Sequence, residues 1–485
     1  MKTKDNVELK RKKRNNQLRA LFSIICFLAL LLSGHYLLAV IGIAAIYILQ
    51  ETLGSDHVFY NPADSYQYEF EHSNKILCTI NATGSLLVKA QQQGQIHHTF
   101  LLECDIKHRL LGKIYDPYVI ISGSTKTQTQ HFERSLCGIR HINLSDFAAD
   151  LINESPITFA FHHCQTHDSN TALHHFPHAD ISKEKLLILA PHADDAELSA
   201  FGLYSQSDTH IVTITAGEIE MEDFQTIYPD PVKASMLKGR LRAWDSIAVP
   251  LWGNVPQDQC IQLGYFCRQL KAMHDTPQAI IASQTANIND PRQFRQFNAT
   301  PLASDKHGRS NWDSLIGDLR EIIDSVKPSV ILTPHPELDP HEDHLYTTKA
   351  LQEALKASTS TPETVLLYCN HYVHTDHFPF GPPHTNTGLP PNFDSTIVSP
   401  TIYSFPLNDD KQKDKIFALE MMHDLKSPLS TKKKLRRYLQ KRLIGRNKIQ
   451  YGNSEYFTKA IKNQEVFVSV PYQQFQQIST KSKSE

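Results

Sequence analysis

LLILAPHADDAELSAFG, residues 186–202, reads as a strand, a turn and the start of a helix. The run Leu186 to Ala190 has no polar break, as expected of a parallel strand buried on both faces. His192 and Asp195 are three apart, so on an opening helical turn they share a face while Asp194 points elsewhere. Asp195 can then ligate a cation while Asp194 stays free for proton transfer.

The same logic recurs downstream in VILTPHPELDPHEDH, residues 330–344. Asp339 and Pro340 suit an N-cap and a first helical position, which puts His341 and His344 on one face of the next turn. Between and after these strings lie Ile211 to Thr215 and Val365 to Tyr368, again continuous apolar runs. Leu315 to Val326 carries Ile316, Leu319, Ile322 and Ile323 at helical spacing. Short apolar strands alternating with helices predict a doubly wound α/β domain with a mostly parallel sheet, whose ligands bind beyond the carboxyl ends of the strands. Both strings fall at that edge. Their imidazoles and carboxylates are the donors a hydrolytic metal centre needs.

Working toward the N-terminus, the texture changes. Tyr66/Tyr68/Phe70, Ile76/Cys78/Ile80, Leu102/Cys104/Ile106 and Ile157/Phe159/Phe161 alternate apolar with mostly polar residues, the period of half-buried strands. A small β-sandwich over 55–180 is expected. A polar segment rich in histidine, His162 to His178, reads as the link to the α/β domain and lacks the fixed spacing of a metal site.

Leu21 to Gln50 is apolar and long enough to cross a bilayer, which takes about 20 helical residues. Its length requires a tilt, an extension into the interface or a break near Ser33-Gly34-His35; a single tilted anchor is expected, the alternative being a re-entrant hairpin that leaves the rest of the chain cytoplasmic. Basic residues crowd residues 1–20, whereas Glu51, Asp56, Asp64, Glu69 and Glu71 follow the span before Lys75. The positive-inside rule therefore puts the N-terminus in the cytoplasm and the rest outside, at an inner membrane with a periplasmic catalytic domain. Seven of the eight cysteines lie beyond the span, so two or three disulfides are expected in an oxidising compartment, with small buried thiols as the alternative. The 485 residues, 40% hydrophobic and 21% charged, are those of a globular chain of two or three domains, and a formal net charge of −2 predicts no nucleic-acid partner.

APHADDAELSAFG and PHPELDPHEDH resemble the two signature segments of the PIG-L/LmbE family of zinc-dependent N-acetyl-sugar deacetylases. The likeness covers about 183–470, including TITAGE (213–218), KPSVILTPHP and the closing EYFTKAIKNQEVF. It implies a Rossmann-like, LmbE-like sheet and zinc held by His192, Asp195 and His344. Asp194 is implied as the general base and a possible proton donor to the leaving nitrogen, and His341 as the partner of the developing oxyanion. Two departures stand out. Ala193 replaces the family's usual proline, and the substrate-binding arginine common in the family's middle region has two candidates here, Arg240 and Arg242, within KGRLRAWDS. A site of two histidines and one carboxylate also suits iron(II) or cobalt.

Weaker candidates complete the set. His371, Tyr372 and His374, with His377, follow the Val365 to Tyr368 strand and would line the cleft; Glu218 would support the site or be a surface acid. In the basic stretch Lys432 to Lys448, Leu435, Leu439 and Leu443 share a helical face. That face is expected to pack on protein, anionic lipid or polysaccharide being the alternative. Residues 471–485 read as a C-terminal tail, disordered from Gln473 to Glu485. The whole describes a membrane-anchored enzyme releasing acetate from an N-acetylated sugar of an envelope glycan or glycolipid. An amidase cutting a larger amide at the same centre and a non-catalytic glycan-binding protein are the rivals.

Overall fold

The computed structural model describes residues 24–479 except 26, 30–31, 57, 89–96, 168–169, 395, 398–399 and 447–449. The basic residues 1–20 lie outside this set. The apolar stretch does not run through as one helix. It turns at Ser33 and Gly34, where Gly34 has φ +78°, a conformation open to a residue without Cβ. Helix α1 (Tyr36–Leu53) then begins; its mean hydropathy is 1.8, and among the described helices it alone is long and apolar enough to cross a bilayer. Its last turn is held by the body of the protein. Arg134 donates to the Thr52 and Leu53 carbonyls at 3.3 and 3.2 Å and pairs with Asp56, a cation placed where the helix dipole favours one.

Two antiparallel sheets follow, built from β1 (Asn74–Thr79), β2 (Ser85–Leu86), β3 (His97–His108), β4 (Tyr118–Ser122), β5 (Thr127–His131), β6 (Cys137–Asn143), β7 (Ile157–His162), β8 (Cys164–Thr166) and β9 (Asn170–His178). One runs β1-β9-β3-β6 with β8 on β3, the other β2-β7-β4-β5. Alternation sends Phe100, Leu102, Cys104 and Ile106 of β3 into one core with Val119 and Ile121 of β4 and Ile157 and Phe159 of β7. Tyr66, Tyr68 and Phe70 are not in a strand, although Tyr66 and Phe70 are buried.

The histidine-rich segment is not a linker. It forms β7, β8 and β9, with His175 stacked on Phe100 at 4.4 Å and His178 Nε2 bonded to the Ile402 carbonyl at 2.6 Å. An imidazole whose nitrogens are satisfied packs like an aromatic ring, which a reading of it as polar misses.

The expected disulfides are also absent: all seven described cysteines are free. Cys260 opens a strand and Cys267 lies beyond its end, a separation of about 20 Å at strand rise, whereas a disulfide needs Cα atoms about 6 Å apart. Cys78 and Cys104 sit on β1 and β3 with β9 between them.

The third sheet contains β10 (Lys185–Ala190), β11 (Asp208–Thr215), β12 (Cys260–Tyr265), β13 (Val330–Pro334), β14 (Thr364–Tyr368), β15 (Thr401–Pro406) and β16 (Gln464–Pro471), in the order β12-β11-β10-β13-β14-β16-β15. Strands β12 to β14 pair in parallel, while β16 is antiparallel to both neighbours. Its helices include α2 (Asp195–Tyr204), α3 (Pro231–Ala248), α4 (Trp312–Val326), α5 (Glu342–Ala357), α6 (Asp409–Met421), α7 (Thr431–Ile444), α8 (Tyr456–Ala460) and α9 (Tyr472–Phe475). Leu187 and Leu189 of β10 join one core with Leu319 and Ile323 of α4 and Leu351 of α5. Leu186, Ile188 and Ala190 face the other core with Phe201 of α2 and Ile416 of α6. A strand apolar on both faces is therefore sandwiched between helical layers, as its composition requires.

From β10 the chain passes to β11 on one side, while β13 lies on the other. The carboxyl ends of β10 and β13 thus open side by side where the strand order reverses, the place at which such sheets bind ligands. Part of the supposed tail is structural. Phe475 of α9 is fully buried, and Gln352 donates to the Phe475 and Ile478 carbonyls at 2.8 and 3.1 Å.

Candidate metal centre

After β10 the chain turns through Pro191 and His192, and α2 starts at Asp195 with Asp194 at its N-cap. The Asp195 carboxylate folds back and accepts the His192 backbone N–H at 2.9 Å, which locks the turn. After β13, helix α5 starts at Glu342 with His341 at its N-cap, later than the Asp339-Pro340 start expected from sequence. Asp339 has other partners. Its carboxylate accepts from His344 Nδ1 at 2.8 Å and from the backbone N–H groups of His341, Asn370 and His371 at 3.1 to 3.2 Å. These bonds tie Asp339 to the ring and to the loop after β14, ahead of the first turn of α5, whose N-cap His341 makes no side-chain cap bond.

Three donor atoms form a near-equilateral triangle. His192 Nδ1 to Asp195 Oδ2 is 3.2 Å, His344 Nε2 to Asp195 Oδ2 is 3.3 Å, and His344 Nε2 to His192 Nδ1 is 3.4 Å. A tetrahedral metal with bonds of about 2.0–2.1 Å sets its ligand atoms about 3.3–3.4 Å apart, so the donors fit a zinc-sized cation in both chemistry and spacing. Overlapping triples of donor atoms within 4.8 Å of one another include His192, His341 and His344, and Asp195, His344 and His371. Each of these two rings has a carboxylate on its far nitrogen: Asp343 Oδ2 lies 3.2 Å from His192 Nε2, and Asp339 takes His344 Nδ1. That pairing fixes ring orientation and tautomer.

The field here favours positive charge. Burial works against the His344 imidazolium, but Asp195 and Asp339 outweigh it and lift its pKa to about 10. The same carboxylates would stabilise a bound cation. His341 is driven the other way, to about 3, by burial and by the neighbouring His192 and His344, so its ring is neutral at rest.

The ligand-type residues His192, Asp195 and His344 are buried, whereas Asp194 and His341 are partly exposed. Burial raises the Asp194 pKa; Arg242 opposes that effect and Asp195 adds to it.

The structure separates the two arginines. Arg242, 4% exposed, donates Nη2 to Asp194 Oδ1 at 3.1 Å and pairs with Asp424, which Lys238 also binds at 2.8 Å. Its passage depends on Gly217, at φ +62°, where an added Cβ would lie 2.3 Å from Arg242 Nε. Arg240 is exposed and points to the Gln296 amide, which accepts at 3.1 Å when its oxygen faces the guanidinium.

The loop after β14 divides likewise. His371 reaches the centre, its ring 5.4 Å from that of His341 and its Nδ1 3.0 Å from Tyr456 Oη on α8. Tyr372 packs against Phe378, and His374 against Tyr60 and Phe393. His377 lies 3.6 Å from Asp56. Glu218 is fully buried, so it is no surface acid. It accepts the Cys267 backbone N–H at 3.2 Å and the Ser283 hydroxyl at 2.7 Å.

Residues the sequence reading left without a site role are Asp343, Asn370, Asp424 and Cys267. Asn370 Nδ2 donates to Asp195 Oδ1 at 2.8 Å, and Cys267 Sγ lies 3.4 Å from Asp343 Oδ2. A signal existed for Asp343, since a ligand imidazole calls for a carboxylate behind it. None existed for Asn370, Asp424 or Cys267, which arrive from distant segments. Among the described residues, all candidate metal groups lie in this centre and none in the histidine-rich strands.

Residues 187–355 match the sequence profile of the PIG-L family, described as GlcNAc-PI de-N-acetylase. No curated protein matches the chain. Among solved structures it is similar to GalB, the 4-carboxy-2-hydroxymuconate hydratase from Pseudomonas putida KT2440. Identity is 14% over 59% of this chain and 96% of that one, with a TM-score of 0.29.

Proposed function

The chain carries a PIG-L-family domain at residues 187–355, and from that premise we propose that it is a metal-dependent N-deacetylase. Its substrate in this reading is an N-acetylated amino sugar of an envelope glycan or glycolipid. The observation that carries the proposal is the triangle of His192, Asp195 and His344 donors, 3.2 to 3.4 Å apart, beside an Asp194 that is not part of it.

His192, Asp195 and His344 would hold a divalent cation, zinc by preference. When bound it would supply Lewis acidity that polarises the acetyl carbonyl and acidifies water. The remaining work falls to side chains. Asp194 takes a proton from the attacking water and returns one to the sugar nitrogen as the C–N bond breaks, giving acetate and a free amine. His341, neutral at rest, presents a ring N–H to the developing oxyanion. Arg242 reads as the residue that orients Asp194 and keeps it ionised, rather than as a substrate ligand. His371 is the candidate for the substrate rim.

In the same reading the seven-stranded sheet and its helices are a Rossmann-like deacetylase domain over 183–470. The two antiparallel sheets are a β-sandwich over 55–180, and α1 is a single-pass anchor that leaves both outside the cytoplasm. Support for that side is the acidic segment after α1 against the basic residues 1–20.

Purified full-length protein incubated with a panel of N-acetylated glycans and glycolipids is expected to release acetate, and a chelator to abolish the release. No chelator-sensitive acetate from any substrate overturns the proposal. Release of a longer acid from a larger amide instead would identify an amidase.

A further inference from the structure

Helix α7 (TKKKLRRYLQKRLI, Thr431–Ile444) packs only the middle of its leucine stripe, where Leu439 is half-buried. Leu435, Tyr438 and Leu443 are 43%, 58% and 50% exposed. The helix is instead tied down by its polar side. Arg436 Nε binds Glu51 Oε2 at 2.5 Å, Lys432 lies 3.5 Å from the same carboxylate, and Gln440 donates to the Glu51 carbonyl and to Ser55 Oγ at 3.2 and 2.9 Å.

This joint sets α7 at a definite height on α1. The exposed apolar surface of α1 runs from Tyr36 to Leu49, about 20 Å at helical rise, and ends two residues before Glu51. With α1 in a bilayer, α7 lies where hydrocarbon gives way to headgroups. A helix with exposed leucine and tyrosine and flanking cations is suited to that depth.

The helix also borders a cavity of about 230 Å³ lined by Lys433, Arg436, Arg437, Lys441, Arg446 and Lys459. Two of these are already neutralised, Arg436 by Glu51 and Arg446 by Asp56 and Asp116. Lys433, Arg437, Lys441 and Lys459 form no ion pair among the described residues. Lys459 is largely buried, with its ammonium 5.4 Å from the Tyr456 ring. Against these four cations the cavity wall sets two carboxylates, Asp376 and Glu455. An excess of unneutralised cations around a hollow favours an anion.

We propose that α7 and this cavity dock on anionic phospholipid headgroups of the bilayer that α1 enters. Leu435, Tyr438 and Leu443 insert at the interface, and Lys433, Arg437, Lys441 and Lys459 meet the phosphates. The docking rests on reading α1 as a membrane anchor. Because α8 carries both Lys459 at the cavity and Tyr456 at the metal centre, it would also hold that centre at a fixed distance from the lipid surface.

The test uses full-length protein in lipid nanodiscs. Tyr438→Trp is introduced on α7 and, separately, Ile41→Trp on α1, and emission is corrected for that of the parent. Bromine quenchers are carried at equal mole fraction on phosphatidylglycerol or on phosphatidylcholine in the same mixture. The residue at 41 is expected to be quenched by both. At 438, brominated phosphatidylglycerol is expected to quench at least about two-fold more than brominated phosphatidylcholine, and Lys433→Gln/Arg437→Gln/Lys441→Gln to remove that preference. Quenching at 41 with none at 438, or equal quenching at 438 by the two lipids, overturns the docking while leaving the anchor intact. No quenching at either position overturns both.

Discussion

His192 Nε2 and Asp343 Oδ2 lie 3.2 Å apart, on the side of the imidazole opposite to the edge that faces Asp195 and His344. The ring is thus clamped between a carboxylate that orients it and the triangle that could bind metal. Asp343 is itself fully buried and is held by the Arg268 backbone N–H at 2.8 Å. His344 and Asp339 repeat the arrangement. Asp343→Asn and Asp339→Asn should each weaken metal affinity by about 10- to 100-fold with the fold retained. Competition against a zinc-selective chelator, with circular dichroism as the control, measures this, and unchanged affinity in both variants would contradict the clamp.

Asp194 has a different signature because it stands outside the triangle. Asp194→Asn should lower kcat by about 10²- to 10⁴-fold while leaving bound metal unchanged. Metal analysis beside steady-state rates separates the two effects; loss of metal in step with activity would make Asp194 a ligand.

Arg242 lies behind that carboxylate and also pairs with Asp424. Arg242→Gln strands the Asp194 carboxylate, while Asp424 keeps Lys238, at a cost in stability of about 3 kcal/mol. Arg242 opposes the burial that raises the Asp194 pKa, so its loss should raise that pKa further. A base works above its pKa, and the acid limb of the rate profile should therefore move to higher pH. Arg240→Gln should change neither melting temperature nor profile.

The β9 histidines set an acid limit on the fold. Burial lowers the pKa of both His175 and His178 from 6.5 to about 4. In the unfolded chain they take up protons near pH 6.5, while the native state resists until about pH 4. Stability is therefore full above 6.5 and falls across that window, by about 1–3 kcal/mol per residue. Urea titrations at pH 7 and pH 5 should show the loss, and His178→Gln should reduce it. An identical gap in the variant would assign the acid sensitivity elsewhere.

The C-terminal segment carries a structural load that its polar composition conceals. Phe475→Ala should cost about 3–5 kcal/mol, since the ring is fully buried in the core shared with α4 and α5. Chemical denaturation measures it; a cost below 1 kcal/mol, within the usual range for surface changes, would mean the segment does not pack.

The parts of the fold legible in the chain are those whose cause is local. The runs Leu186 to Ala190, Val330 to Thr333 and Val365 to Tyr368 are strands because an uninterrupted apolar run needs cover on both faces. The helix over Trp312–Val326 shows its period directly. What was not legible depended on partners remote in sequence. The histidines of β9 look like a polar linker until Phe100 and the Ile402 carbonyl meet them, and the leucines of α7 look like a packing face until Glu51 takes hold of the polar residues beside them. Cysteine count alone suggested disulfides because it carries no distances.

For the candidate centre, donor type and spacing within one turn are local properties of two short strings, and the roles of His192, Asp194, Asp195, His341 and His344 are what the family resemblance of those strings implies. Their meeting is not local. It follows from β10 and β13 being neighbours at the reversal of strand order, which brings residues about 150 positions apart to within 3.4 Å. The choice of Arg242 over Arg240 also came from packing. The two differ by two positions on α3, so helix geometry turns one toward Asp194 through the space left by Gly217 and the other toward solvent. Sequence carries the donors and their chemistry; the chain's path through the sheet brings them together and decides which neighbours hold them.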